Sequence, residues 1–532
     1  MKKIKLSLIA VIIFTLLTGV FVGASNSLIG SSIHISSIGQ VLLGESYRIY
    51  QISGTNYIQD AAGRTVYSSL NVEQTFSTAF SLVSSGGTIT VSPGVYTATA
   101  SVHMQNCRNL KLVFEDGAIL TIADNVNAPV LFLQSCSNIQ LVNLFIDGNR
   151  AGQTTAWITD GILMYNCNNC SVINSTITNC YRDGVAISDD ESGHLPSGIV
   201  GCTVTFCGWN GITLGAGSEY TVGAYAINNT VAYCSDVGIT SYGVGSIIVG
   251  NYIYDMNGTT STQAHWGIGV EAHGYSYIAR NIISNCGSGI VIAPDVGFNV
   301  SSNLIIDNEV YNCSTGICAA DDGYDVITRN KIIGWGSSYA FGITLYWGKN
   351  YIASENLLIN NLNNNEIRSI YTYSISNSSI YNNTITAKLT VPYSYGISLE
   401  KTNKIILEKN RIQAKYGVII ASDCANNLIY QNDLSNCTEV EITNNGQNTT
   451  INPPYLETCT LIINSPSIYG SINPPAGVYN YLNSLQVSIT LTPNPNHYSV
   501  LNIDGVNVRL TENSYIISME GNHVVYVIFP KS

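Results

Sequence analysis

Charged residues are scarce in this 532-residue chain: they make up 11% of it, and the balance is acidic. There are 22 lysines and arginines against 34 aspartates and glutamates, for a formal net charge of −12. No basic stripe appears, so nucleic acid is not an expected partner. Because 45% of the residues are hydrophobic, the low charge indicates a long packed core rather than disorder.

Helical periodicity is also lacking through the long central part of the chain, which is rich in Ile, Val, Tyr, Thr and Asn. Segments 184–187 and 211–214 alternate with the period of two that is typical of β-strands. Helical repeats of similar length would need more Ala, Leu and Glu and more charge than this composition supplies. We therefore expect an all-β fold.

Two residue patterns recur in step along this region. An Asn-x-[Val/Ile/Leu] triplet and an x-Gly-[Ile/Val] triplet each return mostly every 22 to 30 residues. The rows are Asn229, Asn251, Asn281, Asn308, Asn330, Asn356, Asn383, Asn410 and Asn432, and Gly161, Gly184, Gly211, Gly238, Gly267, Gly289, Gly316, Gly342, Gly396 and Gly417. Such a rhythm indicates one unit stacked many times. Each unit has room for about three short strands, which predicts a right-handed parallel β-helix.

The asparagine row fits the turns of such a solenoid. Asparagine tolerates a left-handed backbone, and stacked amide side chains bond from one coil to the next. The glycine row has one gap of 54 residues, between Gly342 and Gly396, so one coil near Ser369 lacks its glycine.

Cysteine is plentiful, with fourteen residues, but its placement argues against a disulfide framework. Six cysteines lie five residues after the asparagine position, namely Cys180, Cys207, Cys234, Cys286, Cys313 and Cys437. This favours a line of small buried side chains, although a coil spacing of about 4.8 Å leaves some bridging open. Cys167 and Cys170 have the spacing of half a zinc site, and no second pair matches it.

The N-terminus has the pattern of an export signal. Lys2, Lys3 and Lys5 precede an apolar run from 6 to 22 and a small-residue site at 22–24. Because the run is long, an uncleaved membrane anchor is the alternative. We expect residues 1–24 to be a signal peptide or anchor, and the protein to be secreted or at the cell surface.

Composition changes divide the rest of the chain. We expect a lead-in segment over 25–70, with short strands over 47–53 and 65–69. The solenoid should cover 71–450, followed by a proline-containing linker over 451–455 and a small β-domain over 456–532. Helical spacing over 72–83 predicts one short amphipathic helix. That helix would cap the first coil, whose strand edges would otherwise be exposed.

The run from Gln74 to Tyr96 resembles the opening of pectate-lyase-like β-helix proteins, in which a capping helix precedes a glycine-rich strand. The coils resemble the parallel β-helix repeat family. This resemblance implies the fold, and the fold hosts lyases, hydrolases, epimerases and adhesins. Residues 467–532 resemble the small β-repeat of listerial internalins, which implies a spacer or surface-binding module.

Aligning the coils on their glycine identifies a first group of candidate site residues, two catalytic acids and a substrate-binding asparagine. Asp160, Asp183 and Asn210 each precede a glycine on successive coils, about 4.8 Å apart. Two acids at such a separation suit glycoside hydrolysis, and their repulsion would raise one pKa. The motifs around Asp160 and Asp183 resemble those of polygalacturonase-type hydrolases, which implies catalytic roles for both. The alternative is that an acid before glycine only forms a turn.

A second group lies six residues after successive glycines. His273, Asp295 and Asp322 would place a histidine beside two acids. That arrangement suits a general base held by a carboxylate, or a Ca²⁺ site made of hard oxygen ligands. The alternative is that these are ordinary polar residues where a strand ends and the chain turns. Ca²⁺ is the only cofactor that the pattern suggests, and the metal ligands stay unknown.

Aromatic side chains form a third group. Tyr165, Tyr242 and Tyr346 share an outward offset, and Trp266 and Trp347 lie near it. Flat rings along one face complement the apolar faces of sugars, although tyrosine is also an ordinary strand residue.

These patterns predict an exported or surface protein that acts on or binds a polysaccharide or cell-surface glycan, as a lyase- or hydrolase-like enzyme or as a binding protein. A non-catalytic adhesin or structural stalk is the alternative. The sequence leaves both the catalytic question and the oligomeric state open.

Overall fold

The structure is a computed structural model. It describes residues 45–155, 158–189, 193–215, 221–256, 264–294, 300–320, 322–336, 340–451, 458–465, 470–482, 486–495, 498–504, 506–508, 513–519 and 521–529. The predicted signal or anchor segment and Asp295 lie outside these residues. The chain divides into two compact units, Leu42–Asn452 and a unit that contains Pro453–Ser532. No helix in the described ranges is long and apolar enough to cross a membrane.

The larger unit is the predicted right-handed β-solenoid, with about 12 turns. Each coil contributes one short strand to each of three long sheets, which we call sheet 1, sheet 2 and sheet 3 in the order the chain visits them. Sheet 1 contains Thr65–Ser69, Thr55–Asp60, Glu45–Ile52, Gly87–Val91, Leu110–Phe114, Gln140–Val142, Ser171–Ile173, Gly198–Val200, Tyr225–Ile227, Ile247–Val249, Tyr277–Ala279, Leu304–Ile306, Val326–Thr328, Ile352–Ser354, Ser379–Tyr381, Ile406–Glu408, Leu428–Tyr430 and Thr450–Ile451. Sheet 2 contains Gly94–Ala98, Ala118–Ile122, Phe145–Asp147, Thr176–Thr178, Thr203–Thr205, Thr230–Ala232, Tyr252–Tyr254, Ile282–Ser284, Glu309–Tyr311, Lys331–Ile333, Leu357–Asn360, Thr384–Ala387 and Arg411–Gln413. Sheet 3 contains Val102–Gln105, Leu131–Gln134, Ile162–Tyr165, Val185–Ser188, Ile212–Leu214, Val237–Ser241, Trp266–Val270, Ser288–Ile292, Thr315–Ala320, Ala340–Tyr346, Glu366–Tyr373, Tyr393–Glu400, Tyr416–Ile420 and Val440–Asn444.

Parallel, in-register pairing stacks equivalent residues of successive coils. In sheet 3, for example, Ile268 pairs with Ile290, which pairs with Ile317. All three are fully buried, and similar columns from the other two sheets complete one continuous core. Burial of each such side chain contributes about 1.5–3 kcal/mol, so the stack rather than any single coil stabilises the fold.

The asparagine row forms the predicted ladder at the corner between sheets 1 and 2. The side-chain nitrogen of Asn229 donates to Oδ1 of Asn251, and the side-chain nitrogen of Asn251 donates to Oδ1 of Asn281. Each of these two distances is 2.9 Å. The left-handed residue of the turn is not the ladder asparagine but its predecessor, such as Asn228 or Gly250. The ladder side chains bond to buried backbone amides and carbonyls that, at the corner, have no partner within a sheet.

The glycine row lies where sheet 3 begins and marks a close approach. A Cβ on Gly211 would lie 2.3 Å from Cγ1 of Val231 and 2.7 Å from the carbonyl oxygen of Gly238. A side chain there would displace the neighbouring coil. Ser369 takes the place of glycine on the one exceptional coil and is fully buried.

The cysteines fill interior positions, as predicted. All fourteen lie among the described residues as reduced thiols, and only Cys318 and Cys437 are not buried. The thiols at the corner between sheets 2 and 3 donate to carbonyls two residues earlier, as Cys207 does to Thr205. This confirms the interpretation as a line of small core side chains.

The capping helix is confirmed at Val72–Leu82. It begins at Asn71, whose side chain accepts the amide of Gln74 at 2.8 Å, and it buries Phe76 and Phe80 against the first coils. The lead-in contains strands where the sequence predicts them, at Glu45–Ile52 and Thr65–Ser69. A third strand, Thr55–Asp60, was not predicted, and the three form an antiparallel meander that extends sheet 1.

The C-terminal unit has two small sheets, as expected for a separate β-domain. One has strands in the order Gly477–Leu482, Thr458–Asn464, His523–Ile528, Val500–Ile503 and Val506–Val508, and the other in the order Gly470–Asn473, Gln486–Pro493 and Ser514–Ser518. Buried side chains such as Leu461, Ile489 and Val527 form its core.

Candidate functional site

The outer face of sheet 3 carries most positions that the sequence singles out. Three columns run along it, which we number by their place around the glycine. The first column holds the residue before the glycine, the second column the residue two after it, and the third column the residue four after it. Phe341, Thr344 and Tyr346 occupy the three columns on one coil. Strand register continues each column from coil to coil, so column neighbours are spatial neighbours.

Asp160, Asp183 and Asn210 occupy the first column near the N-terminal end, on adjacent coils as predicted. Oδ1 of Asp160 accepts the amide of Asp183 at 3.2 Å, and Oδ1 of Asp183 accepts the amide of Asn210 at 3.1 Å. Asn210 accepts the amide of Val237 in the same way. The exposed fractions of the three residues are only 1%, 0% and 4%. Each side chain therefore acts on the backbone of the next coil.

The electrostatics of this acid pair follow from burial. Burial raises the pKa of Asp160 to about 7, the charge of Asp183 adds to the rise, and the guanidinium of Arg182, 3.9 Å away, opposes it. Burial also raises the pKa of Asp183, whose Oδ2 accepts the hydroxyl of Thr213 at 2.8 Å. A raised pKa suits a general acid. A substrate, however, would need to reach carboxyl groups that are almost completely covered, so this geometry favours the turn-forming interpretation.

The second predicted group lies beyond the end of sheet 3. His273 has a left-handed backbone, with φ of 63°, in the turn after Trp266–Val270. Asp322 is exposed in the turn that follows Thr315–Ala320. Because Asp295 lies outside the described residues, the three-residue cluster and its Ca²⁺ site stay predictions.

The predicted aromatic residues share the outer face but are spread along it. Tyr165 lies in the third column between Gln134 and Ser188, and Tyr346 lies between Ala320 and Tyr373. Tyr242 directly follows Val237–Ser241, and Trp266 occupies the first column between Val237 and Ser288.

Trp347 is the most exposed of these aromatic residues, at 66%. It has a left-handed backbone, with φ of 57°, which is uncommon and costly for a bulky residue. Its ring packs against that of Tyr346, with centroids 5.3 Å apart. Ser374 and Lys401 have the same left-handed conformation at this turn position on the next two coils, so the turn fixes the backbone. The exposure of a large apolar ring is what indicates a contact with another molecule.

A dense aromatic cluster surrounds this position, and we call it the aromatic face. Its members are Phe341, Tyr346, Trp347, Tyr371, Tyr373, Tyr395 and Tyr416. Phe341 stacks on Tyr371 with centroids 5.3 Å apart, and the ring of Tyr395 packs in a tilted arrangement against that of Tyr416, with centroids 5.2 Å apart. Tyr371 is buried beneath its neighbours, whereas the other members are at least partly exposed.

Arg368 holds the middle of the aromatic face in place. Its Nε lies 2.6 Å from Glu366, and a terminal nitrogen lies 2.7 Å from Glu400. The guanidinium stands 4.7 Å from the ring centroid of Tyr371, whose hydroxyl donates to Glu400 at 2.9 Å. Burial disfavours the charged guanidinium, but the two carboxylates more than offset this and raise its pKa. The side chains of this network are thus ordered before any ligand arrives.

Most members of the aromatic face were missed from sequence, for an identifiable reason. Alignment on glycine skips the coil that carries Ser369, and with it Arg368, Tyr371 and Tyr373 in the first, second and third columns. Tyr395 does precede a glycine, as Asp160 does, and following the first column to its C-terminal end would have found it.

Comparison with known proteins agrees with the fold. A family model described as "Right handed beta helix region" matches residues 160–310 and 196–361. A second, described as "Periplasmic copper-binding protein (NosD)", matches residues 298–470. No curated protein matches the chain.

Solved structures with similar folds are distant in sequence. The A-module of a mannuronan C-5 epimerase of Azotobacter vinelandii has 13% identity and a TM-score of 0.38, with 72% of this chain and 95% of that one covered. The Dettilon tailspike protein has 15% identity and a TM-score of 0.41, with 81% and 80% covered. A family 28 exopolygalacturonase of Yersinia enterocolitica has 10% identity and a TM-score of 0.36, with 75% and 84% covered.

Copper, which one family description mentions, does not fit the described residues. They contain no group of three or more His, Cys, Asp or Glu side chains that could hold a metal ion. The buried thiols instead donate to backbone carbonyls, as Cys136 does to Met104 at 3.3 Å. A copper site needs several ligands that converge on one point, which the described residues do not provide.

Proposed function

Because the chain is a right-handed parallel β-helix protein, we propose that it binds polysaccharide along the aromatic face of sheet 3. The observation that carries this proposal is the aromatic cluster itself, in which Trp347 is 66% exposed. The export that residues 1–24 predict would place this face outside the cytoplasm, where such polymers are found.

The geometry suits a linear polymer. The columns run parallel to the solenoid axis. Tyr346 and Tyr373 are neighbours in the third column, and Tyr395 and Tyr416 are neighbours in the first, so four successive coils each offer a ring, in two adjacent stretches of the face. Sugar rings have apolar faces that pack on aromatic rings, and hydroxyl groups at their edges that bond to phenol oxygens. Many modest contacts along several coils then add up to a useful affinity.

Order before binding supports the proposal. Arg368 is fixed by Glu366 and Glu400, and it packs over Tyr371, so little side-chain freedom remains to be lost on binding. A pre-ordered surface keeps more of the contact energy as affinity than a flexible one does.

We propose binding rather than cleavage because the best acid pair is not accessible. Asp160 and Asp183 are almost fully buried and bonded to backbone amides. A glycosidase pair must flank its substrate, with one carboxyl on each side of the bond. An adhesin would use the same face, so the adhesive alternative is a special case of this proposal.

The test is a binding assay with matched variants. Trp347→Ala and Tyr395→Ala should each weaken co-sedimentation with an insoluble polysaccharide by about tenfold, or about 1.4 kcal/mol. Tyr252→Ala is the control, because Tyr252 is 46% exposed on the outer face of sheet 2. Equal losses in all three variants, or none in the first two, would refute the aromatic face as the site.

A further inference from the structure

An arginine and a lysine lie within the aromatic face or at its edge, and both already have partners in the protein. Arg368 already contacts two carboxylates, those of Glu366 and Glu400. Lys401 stands 4.6 Å from the ring centroid of Tyr373 and donates to its hydroxyl. Asp423 accepts the backbone amide of Lys401 at 3.0 Å, so a third carboxylate lies beside this cation. Two cations thus face three carboxylates.

We propose that the aromatic face selects uncharged polysaccharide and rejects polyuronates. This inference rests on the proposed function and names its substrate class. A uronate carboxylate binds most strongly where it meets an available cation. The aromatic face offers stacking rings and hydroxyl groups, but its main cation is already occupied.

Freeing Arg368 for a ligand would disturb the network that orders the rings. If the guanidinium turned away from Glu400, that half-buried carboxylate would lose its cation. Loss of this ion pair costs free energy, although the partly exposed carboxylate keeps some contact with solvent. The hydroxyl of Tyr371 donates to the same carboxylate, so the buried hub of the aromatic face would shift as well.

The part of sheet 3 next to the aromatic face does not favour a polyanion either. Towards the N-terminal end of the same face lie Glu271, bonded to Thr240, and the buried Asp183 and Asp160. Arg182 stands 3.9 Å from Asp160. A charged polymer that extended along the columns would meet the carboxylate of the partly exposed Glu271, where like charges repel, whereas the two buried acids lie out of its reach.

The direct test compares one polymer in two charge states. A uronan and its carboxyl-reduced form, together with a panel of neutral polysaccharides, are titrated into the full-length protein at low and high salt. We expect the best neutral polymer to bind at least about tenfold tighter than any uronan, with little salt dependence, because no ion pair forms.

The outcomes separate this inference from the proposed function. Salt-sensitive binding of the uronan, as tight as that of the neutral polymers, would overturn the inference and leave the proposed function intact. Failure of every polymer to bind would overturn both.

A gain-of-function variant sharpens the test. Glu400→Gln removes one carboxylate charge but keeps an oxygen for Tyr371, so Arg368 gains an open side for an anion. We expect its discrimination against the uronan to fall by about tenfold. Glu309→Gln is the matched control, since Glu309 pairs with Lys331 on sheet 2, and it should discriminate as the wild type does. Unchanged discrimination in Glu400→Gln would overturn the inference.

Discussion

The first column of sheet 3 carries Asp160 and Asp183 at its N-terminal end and Arg368, Tyr395 and Tyr416 towards its C-terminal end. In the N-terminal half the side chains are buried and bond to amides of the next coil. In the C-terminal half they stay at least partly exposed and contact one another. One position of one repeat thus serves the backbone in one region and forms a surface in the other.

The difference between the halves distinguishes the register of the residues from their exposure. Register decides which residues are neighbours, and it does so equally well along the whole column. Exposure and partners decide what those neighbours can do. A pair of acids on adjacent coils is therefore evidence of proximity, and only its burial distinguishes a turn from a site.

The largest effect on stability is expected in the N-terminal half. Asp183→Ala removes the acceptor for the amide of Asn210 and the hydroxyl of Thr213, both buried, and should lower the free energy of unfolding by about 2–3 kcal/mol. Thermal or denaturant unfolding measures the change. Asp183→Asn keeps an acceptor oxygen and should lose less. If Asp183→Ala were as stable as the wild type, the acid would not be structural.

A smaller stability effect, together with a clear loss of binding, is expected in the C-terminal half. Arg368→Met removes the cation between Glu366 and Glu400 and should weaken polysaccharide binding by about tenfold, with a stability loss of about 1 kcal/mol. Affinity and unfolding are measured on the same sample. A variant that binds normally would show that the network does not order the rings.

The two halves should also differ in their response to pH. Because the pKa of Asp160 is raised to about 7 in the folded state, folding favours its protonated form. The associated stability is complete below the ordinary pKa of 3.8 and is lost as the pH rises through about 7. The melting temperature should therefore fall by a few degrees between mildly acidic and mildly alkaline pH.

Asp160→Asn is the matched variant for this pH profile. Its amide does not titrate, so the fall in melting temperature should flatten. Tyr395→Ala, in the other half of the column, should keep the wild-type profile. An unchanged slope in Asp160→Asn would show that this carboxyl group does not cause the pH dependence.

The smallest stability effect is expected at the most exposed ring. Trp347→Ala removes a side chain that packs mainly against Tyr346, so the free energy of unfolding should change by less than about 0.5 kcal/mol. Alanine keeps the Cβ atom that makes a left-handed backbone costly, so the backbone contributes little to the change. A large destabilisation would mean that Trp347 has a structural role in the solenoid.

Much of the architecture was predictable because repetition makes it so. The asparagine and glycine rows determine the coil boundaries, and the spacing of Val72, Phe76 and Phe80 predicts the capping helix. The meander before the helix escaped prediction in part, because the strand Thr55–Asp60 has too few apolar residues to reveal its pairing.

The site was less predictable because exposure is not encoded in a repeat. Tyr346 and Trp347 were found by their offset, whereas Arg368 and Tyr371 were hidden by the serine that replaces glycine on their coil. The burial of Asp183 depends on how neighbouring coils pack over it, and no spacing in the sequence reports that.

The most direct test of the account is the polysaccharide affinity of three proteins: the wild type, the double variant Trp347→Ala/Tyr395→Ala and Asp183→Asn. Released reducing ends and unsaturated products are recorded with and without Ca²⁺. We predict that only the double variant loses affinity, and that no protein releases product. Normal binding by the double variant would contradict the account. So would a product that the wild type releases and Asp183→Asn does not.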